Sequence, residues 1–229
     1  GYGHGVVKFS KVWKLNLKTW RTSKLIDNNR VFTDIAVSPN ENYCAVVSKP
    51  DETLLSGEGW SYIEVHDLIS KESTVVTPDG WRASHPAPHG WLDNLEWSQD
   101  SRALAFTVGF DGYPAEINVI EQAENNWDLF QLDRPSGVHV DHGLSWKGSS
   151  RNLGFVGEEK ARQRVYMIKN IKNGKQGKNE TLVPGDVVVD HYSFNDSGKQ
   201  LVVTLSTPDT PHDIYLISTN SISTRLTQV

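Results

Sequence analysis

This 229-residue chain has one cysteine, one methionine, no apolar run long enough to cross a membrane and almost no helical patterning. A single Cys44 excludes an internal disulfide, so the redox compartment stays open and both a cytoplasmic and a periplasmic setting fit. Cys44 lies in an apolar strand and reads as a small buried hydrophobe. No span of about 20 apolar residues exists, and the opening GYGHGVVKFSKVWK is not a signal peptide. That opening is also unlike a native N-terminus, so a removed leader is allowed for. Excess positive charge is missing as well. A net charge of −5 and a pI near 5.9 argue against nucleic acid as the main partner, because phosphate binding needs clustered Lys and Arg. The densest basic stretch, Lys160 to Lys178, reads as a hairpin plus an exposed loop. Long i, i+3, i+4, i+7 apolar spacing is absent too, which leaves an all-β chain.

Aromatic residues are plentiful: eight Trp, seven Tyr and seven Phe, which suit pleated faces. Four times a half-apolar strand runs into a polar turn and out into a second apolar strand. The copies are DIAVSPNENYCAVV from Asp34, NLEWSQDSRALAFTV from Asn94, GLSWKGSSRNLGFV from Gly143 and HYSFNDSGKQLVV from His191. Laid on one another they align Ser38, Ser98, Lys147 and Asn195, at steps of 60, 49 and 48 residues. A period of about 40 to 50 residues with four short strands per unit is the signature of a β-propeller.

Each unit decomposes into four strands. Strand A is half apolar (Ile35, Val37; Leu95, Trp97; Leu144, Trp146; Tyr192, Phe194). Strand B is almost continuously apolar (Cys44 to Val47; Leu104 to Phe106; Leu153 to Val156; Leu201 to Val203), as expected for a strand covered on both faces by stacked blades. Strand C alternates near Tyr62, Glu116, Arg164 and Asp213. Strand D is expected to be the shortest and most polar, near Ser73 to Thr77, Trp127 to Leu132, Glu180 to Val183 and Thr224 to Thr227, protecting the outer edge. The whole of 1–229 is thus one partial propeller: strands C and D of an incomplete blade in 1–30, then blades in 31–80, 90–134, 137–185 and 187–229. The missing A and B strands suggest a piece of a larger ring, or a permuted or swapped assembly closed by a second chain. Apolar faces at the open ends are expected to promote self-association through open blade edges.

The turn Trp97-Ser98-Gln99-Asp100-Ser101-Arg102-Ala103-Leu104-Ala105-Phe106 resembles the repeat shared by TolB-type propellers and prolyl oligopeptidase-family peptidases. The last unit sharpens this. Pro211-His212-Asp213-Ile214-Tyr215 with Arg225-Leu226-Thr227 resembles the final blade of acylaminoacyl-peptidase and dipeptidyl-aminopeptidase-like members, although His212 stands where a small residue is usual. The resemblance implies a non-catalytic propeller that caps an α/β-hydrolase domain of the same parent protein and restricts entry to peptide substrates. The alternative it leaves open is a stand-alone TolB-type propeller acting as a binding scaffold.

No catalytic machinery is expected in the chain itself. A hydrolase serine needs G-x-S-x-G; the nearest fragments, Gly59-Trp60-Ser61-Tyr62-Ile63 and Gly143-Leu144-Ser145-Trp146-Lys147, lack the last glycine and fall in blade strands. His85 and His89 are spaced for a metal only if both face one point, and no Cys or carboxylate stands beside them to complete a site. No metal or other cofactor is therefore expected. Glu158-Glu159, set beside Lys160, Arg162 and Arg164, reads as a solvated hairpin with local ion pairs. The candidate site residues are Asp34, Asp93, Asp141, His142, Asp190 and His191, which recur just before or at the start of strand A. Two roles are open for them: blade-to-blade hydrogen bonding at the mouth of the channel, or a polar ring that binds a cation or a peptide amine. Recurrence implies the structural role first.

Overall fold

A computed structural model describes residues 9–49, 61–86, 90–123, 126–218 and 223–227. It is a β-propeller segment built from a two-stranded hairpin and four four-stranded antiparallel blades. The hairpin is β1 (Lys11–Asn16) and β2 (Arg21–Asp27). Blade 1 holds β3 (Val31–Val37), β4 (Tyr43–Lys49), β5 (Tyr62–Asp67) and β6 (Ser73–Val75). A 3-10 turn at Trp81–Ser84 leads to blade 2: β7 (Trp91–Trp97), β8 (Ala103–Phe110), β9 (Tyr113–Ala123) and β10 (Asn126–Leu132). Blade 3 holds β11 (His139–Trp146), β12 (Leu153–Glu159), β13 (Arg162–Ile168) and β14 (Asn179–Thr181). Blade 4 holds β15 (Val188–Phe194), β16 (Gln200–Thr207), β17 (Thr210–Ser218) and β18 (Ser223–Arg225). The first strands β3, β7, β11 and β15 touch in chain order, so they form the inner side of the fan.

The A–B turn is the same device in every blade. The N–H groups of Ser38, Ser98, Lys147 and Asn195 donate to the carbonyls of Tyr43, Ala103, Asn152 and Gln200. Glu41, Ser101, Ser150 and Gly198 close the turn by donating back to those same four residues. Asx and Ser side chains add bonds that a bare turn lacks, as when Ser98 Oγ donates to Asp100 Oδ1 at 2.7 Å and accepts from Ala103 N at 2.9 Å.

Packing between blades follows the register. Leu95 and Trp97 of blade 2 sit in one cluster with Ala45 and Val47 of blade 1; Leu144 and Trp146 of blade 3 sit with Ala103 and Ala105 of blade 2. Each indole also donates to a carbonyl of the preceding blade, Trp97 Nε1 to Ala36 O at 3.1 Å and Trp146 Nε1 to Glu96 O at 3.0 Å. Charges that end up between elements are paired. Arg30 Nε lies 3.1 Å from Glu64 Oε1, Arg151 Nη2 lies 3.0 Å from Asp100 and 3.5 Å from Glu121, and Arg134 reaches Glu116.

Two expectations about strands need correction. β6, β14 and β18 are three residues each, but β10 runs for seven and its Trp127 packs edge-on against Tyr43 and Trp97. The blade 2 outer strand is therefore held by aromatic contact with blade 1 and extends along an eleven-residue partner, β9. Strand B is buried on both faces in β8 and through most of β4 and β12, but β16 alternates, with Val202 exposed, because nothing among the described residues packs beyond blade 4.

Candidate functional site

Every A strand carries a β-bulge, at Phe32/Asp34, Asp93/Glu96, Val140 to Ser145 and Val189/His191. A bulge frees backbone groups and redirects side chains toward the inner face. Asn94 and Gly143 occupy the equivalent bulge position and have left-handed backbone, at φ 59° and 71°. At Gly143 a Cβ would also lie 3.3 Å from the Tyr192 ring, so only glycine fits there without displacement.

The recurring acids and imidazoles stand at these bulges, in two groups. Asp34 Oδ1 accepts from its own neighbour Ile35 N at 2.7 Å, and Oδ2 accepts from Leu95 N across the blade boundary at 3.0 Å. Asp93 is beside it: burial pushes its carboxyl up, the Asp34 charge adds to this, and Lys49 partly offsets it. The second group joins blades 3 and 4. His142 Nδ1 is 3.0 Å from Asp141 Oδ2, its Nε2 is 2.7 Å from the Asp190 carbonyl, and its ring meets His191 edge-on. Asp141 also accepts from Gln163 Nε2 at 2.7 Å. Asp34 and His142 thus hold neighbouring blades together by hydrogen bonds at bulged backbone.

Glu96 is an inner-strand residue that the sequence reading passed over. Burial raises its carboxyl to about 7. Tyr192, on the inner strand of blade 4, donates its hydroxyl to Gly143 O at 2.5 Å; burial, with Glu96 nearby, pushes its pKa well above the ordinary value. In the repeat register Glu96 aligns with Ala36, Ser145 and Ser193. A single long acid at a position otherwise filled by small residues was the available signal. The inner strands therefore carry two separate acidic features: Asp34 beside Asp93 at the first blade boundary, and Glu96, whose charge reaches Tyr192 of blade 4.

The other candidates have structural surroundings. Ser61 is buried, with Arg82 Nη2 donating to its carbonyl at 2.7 Å and its Oγ at 3.2 Å; Ser145 lies within β11. Neither stands at a strand-to-helix turn. His85 is wedged between Trp81 and Phe110 with Ser84 Oγ and Asn118 Nδ2 each at 3.2 Å, and burial lowers its pKa. His89 and the Gly59-Trp60 half of the first serine fragment lie outside the described residues. Among the described residues no three His, Cys, Asp or Glu side chains are grouped to hold a metal. Glu159 pairs with Arg164 at 3.4 Å and Lys160 at 3.6 Å in the β12–β13 hairpin.

The two halves of the C-terminal motif meet. Asp213 is fully buried; its Oδ2 accepts from the Arg225 guanidinium and its Oδ1 from Thr227 Oγ1 and, at 2.8 Å, from Ile214 N. The Asp-Ile-Tyr and Arg-Leu-Thr segments are one clamp that fixes β18 on β17.

No protein-family model matches the chain, and no curated protein matches it in sequence. Solved structures do match in fold. TolB from Acinetobacter baumannii is 14% identical with a TM-score of 0.61, over 96% of this chain and 49% of that one. Porphyromonas gingivalis dipeptidyl peptidase 4 is 13% identical with a TM-score of 0.66, over 97% and 37%. Prolyl oligopeptidase B from Galerina marginata, solved with a 25mer macrocyclization substrate, is 14% identical with a TM-score of 0.67, over 97% and 32%. The chain thus has the fold of TolB and prolyl oligopeptidase propellers and spans 32% to 49% of the length of these three proteins.

Proposed function

We propose that this chain is the non-catalytic propeller portion of a prolyl oligopeptidase-family serine peptidase and gates peptide access to an α/β-hydrolase domain outside it. The observation that carries the reading is the Asp213–Arg225–Thr227 clamp. The residues through which the sequence resembles the peptidase family are the ones that bond to each other in the last blade, so the likeness falls on an interacting unit rather than on scattered letters. Peptidases also stand beside TolB among the fold matches. In this reading the acids of the inner face and the Asp–His groups at the bulges form the channel mouth. Asp34, Asp93 and Glu96 favour the amino end of an entering peptide, and Asp141, His142, Asp190 and His191 keep the mouth rigid.

The test is to express the protein encoded around this segment with and without the propeller and compare cleavage of short peptides with cleavage of folded proteins. Gating predicts that removing the propeller raises attack on folded or long substrates while short peptides are still cleaved. An unchanged length preference refutes it. A second reading, a stand-alone TolB-type scaffold, is favoured by coverage: the chain matches 73% of a putative TolB from Agrobacterium tumefaciens at TM-score 0.61. A coding sequence that continues into further blades and never into a G-x-S-x-G domain supports that reading.

A further inference from the structure

We propose that the face formed by the A–B turns and the turns between strands C and D is a peripheral docking surface for a bilayer rich in anionic lipid. The inference stands on the fold and does not depend on the peptidase reading. Strands alternate in direction along each blade, so the A–B and C–D turns leave the sheet at the same end. Hydrogen bonds join these turns into one surface. Within blades, Leu68 N donates to Asn42 O and Ile171 N to Arg151 O, both at 2.8 Å. Between blades, Asn40 N donates to Ser101 Oγ at 3.0 Å and Asn173 N to Glu121 Oε2 at 2.7 Å.

Positive charge is segregated toward this face. Its described turns (17–20, 38–42, 68–72, 98–102, 147–152, 169–178 and 195–199) hold ten Lys and Arg against four Asp and Glu, in a chain of net charge −5. The described turns of the opposite face (28–30, 76–86, 111–112, 133–138, 160–161, 182–187 and 208–209) hold four against five. Of the ten cations only Arg151 and Lys169 pair with an acid among the described residues, through Asp100, Glu121 and Glu180. Lys172, Lys175 and Lys178 stand exposed on the loop after β13. An anionic leaflet attracts cations held within a Debye length of its surface.

Apolar side chains mark the same face. Leu17 and Trp20, each 75% exposed, and Ile69, 73% exposed, are the three most exposed large hydrophobic residues described, and all three lie in C–D turns. Both turns are built alike. Asn16 Oδ1 accepts from Lys18 N at 2.9 Å and Asp67 Oδ1 from Ile69 N at 2.7 Å, while Trp20 N and Lys71 N donate to the carbonyls of Asn16 and Asp67. Trp20 therefore occupies, at φ 57°, the left-handed position that Lys71 fills at φ 70°. Asn or Gly suits that backbone best, and an indole there gains no burial to offset the strain. The blade 1 turn lies in a blade packed on both sides and still exposes Ile69, so the exposure belongs to the face and not to the open edge of β1. Hydrogen-bonded turns that present Trp, Leu and Ile among unpaired lysines match the interfacial zone of a bilayer, where indole rings settle at headgroup depth. A soluble polyanion would engage the cations and leave these three side chains in water.

The experiment mixes the full chain with vesicles of phosphatidylcholine, with or without about 30 mol% phosphatidylglycerol. Cosedimentation measures binding, and quenching of tryptophan emission by lipids brominated on the acyl chain measures insertion. The expected result is binding at least tenfold tighter to the anionic vesicles, accompanied by quenching and weakened at least tenfold in about 1 M salt. Lys172→Glu with Lys175→Glu should weaken binding at least tenfold with unchanged thermal unfolding, since both side chains are exposed. Trp20→Asn, which suits the left-handed turn, should remove most of the quenching and also leave unfolding unchanged. Equal binding to neutral vesicles, or binding to neither kind, overturns the proposal. So does binding to anionic vesicles without bromine quenching, or with quenching that Trp20→Asn leaves intact.

Discussion

Glu96 is the residue whose environment has the most measurable consequence. Its carboxyl sits at about 7 in the folded chain against an ordinary 4.5, so between those values the folded state holds a proton that the unfolded state has lost. Stability from this group is present below pH 4.5 and is lost as pH rises through 7, at an order-of-magnitude cost of 1–3 kcal/mol. Glu96→Gln should therefore be more stable than the parent at pH 8 by roughly that amount and no more stable at pH 4.5, as read from denaturant midpoints at the two values. Glu64 shows the opposite balance: burial opposes its charge, but hydrogen bonds from His66, Ser48 and Tyr62 and the Arg30 charge outweigh burial and lower its pKa. Asp213 is buried as well, and removing it leaves Arg225 and Thr227 without their shared acceptor. Asp213→Ala is expected to cost about 2–4 kcal/mol and to speed amide exchange in β18 before the rest of the blade opens. Legibility differed among these residues. Asp213 and Arg225 were visible as a motif, and the six recurring acids and histidines were visible by repetition. Glu64 with Arg30, and Glu121 with Arg151, were not, because each pair joins segments far apart in sequence: Arg30 precedes β3 and Glu64 lies on β5 of the same sheet, while Glu121 and Arg151 belong to neighbouring blades.

At the scale of elements, the A–turn–B unit was readable because both its hydrogen-bonding turn residues and its apolar pattern repeat. Strand B in β4, β8 and β12 is buried as its near-continuous apolarity implies, while β16, equally apolar, is half exposed. Sequence gives the capacity for burial, and a neighbour decides whether it is used. The extent of β10 was legible as Trp127 to Leu132, but what holds it was not: Trp127 packs on Tyr43 and Trp97 of other strands, which no local pattern announces. The indole bonds that tie blade to blade offer a direct test of equivalence. Trp97→Phe and Trp146→Phe keep most of the buried ring and remove one hydrogen bond to a carbonyl of the preceding blade, so each should lose about 1–2 kcal/mol in thermal or denaturant unfolding. A large loss from one and none from the other contradicts the claim that the two blade boundaries are built alike.

At the scale of the molecule, four blades and a hairpin leave two apolar faces uncovered among the described residues, one at Ile35 and Val37 and the other at Val202 and Ile214. The propeller class and the repeat register were legible because a solenoid-like period survives sequence change that erases other similarity. The burial of Glu96 was not legible, since its neighbour Tyr192 comes from blade 4, two blades on along the chain. The role proposed for this propeller is to gate a hydrolase domain outside the chain. The most direct measurement treats two proteins, this chain alone and the full product of its coding sequence, with a fluorophosphonate that labels activated serines. Gating predicts labelling of the full product at a G-x-S-x-G serine and none of this chain. Labelling of this chain by itself, or a full product with no reactive serine, would contradict it.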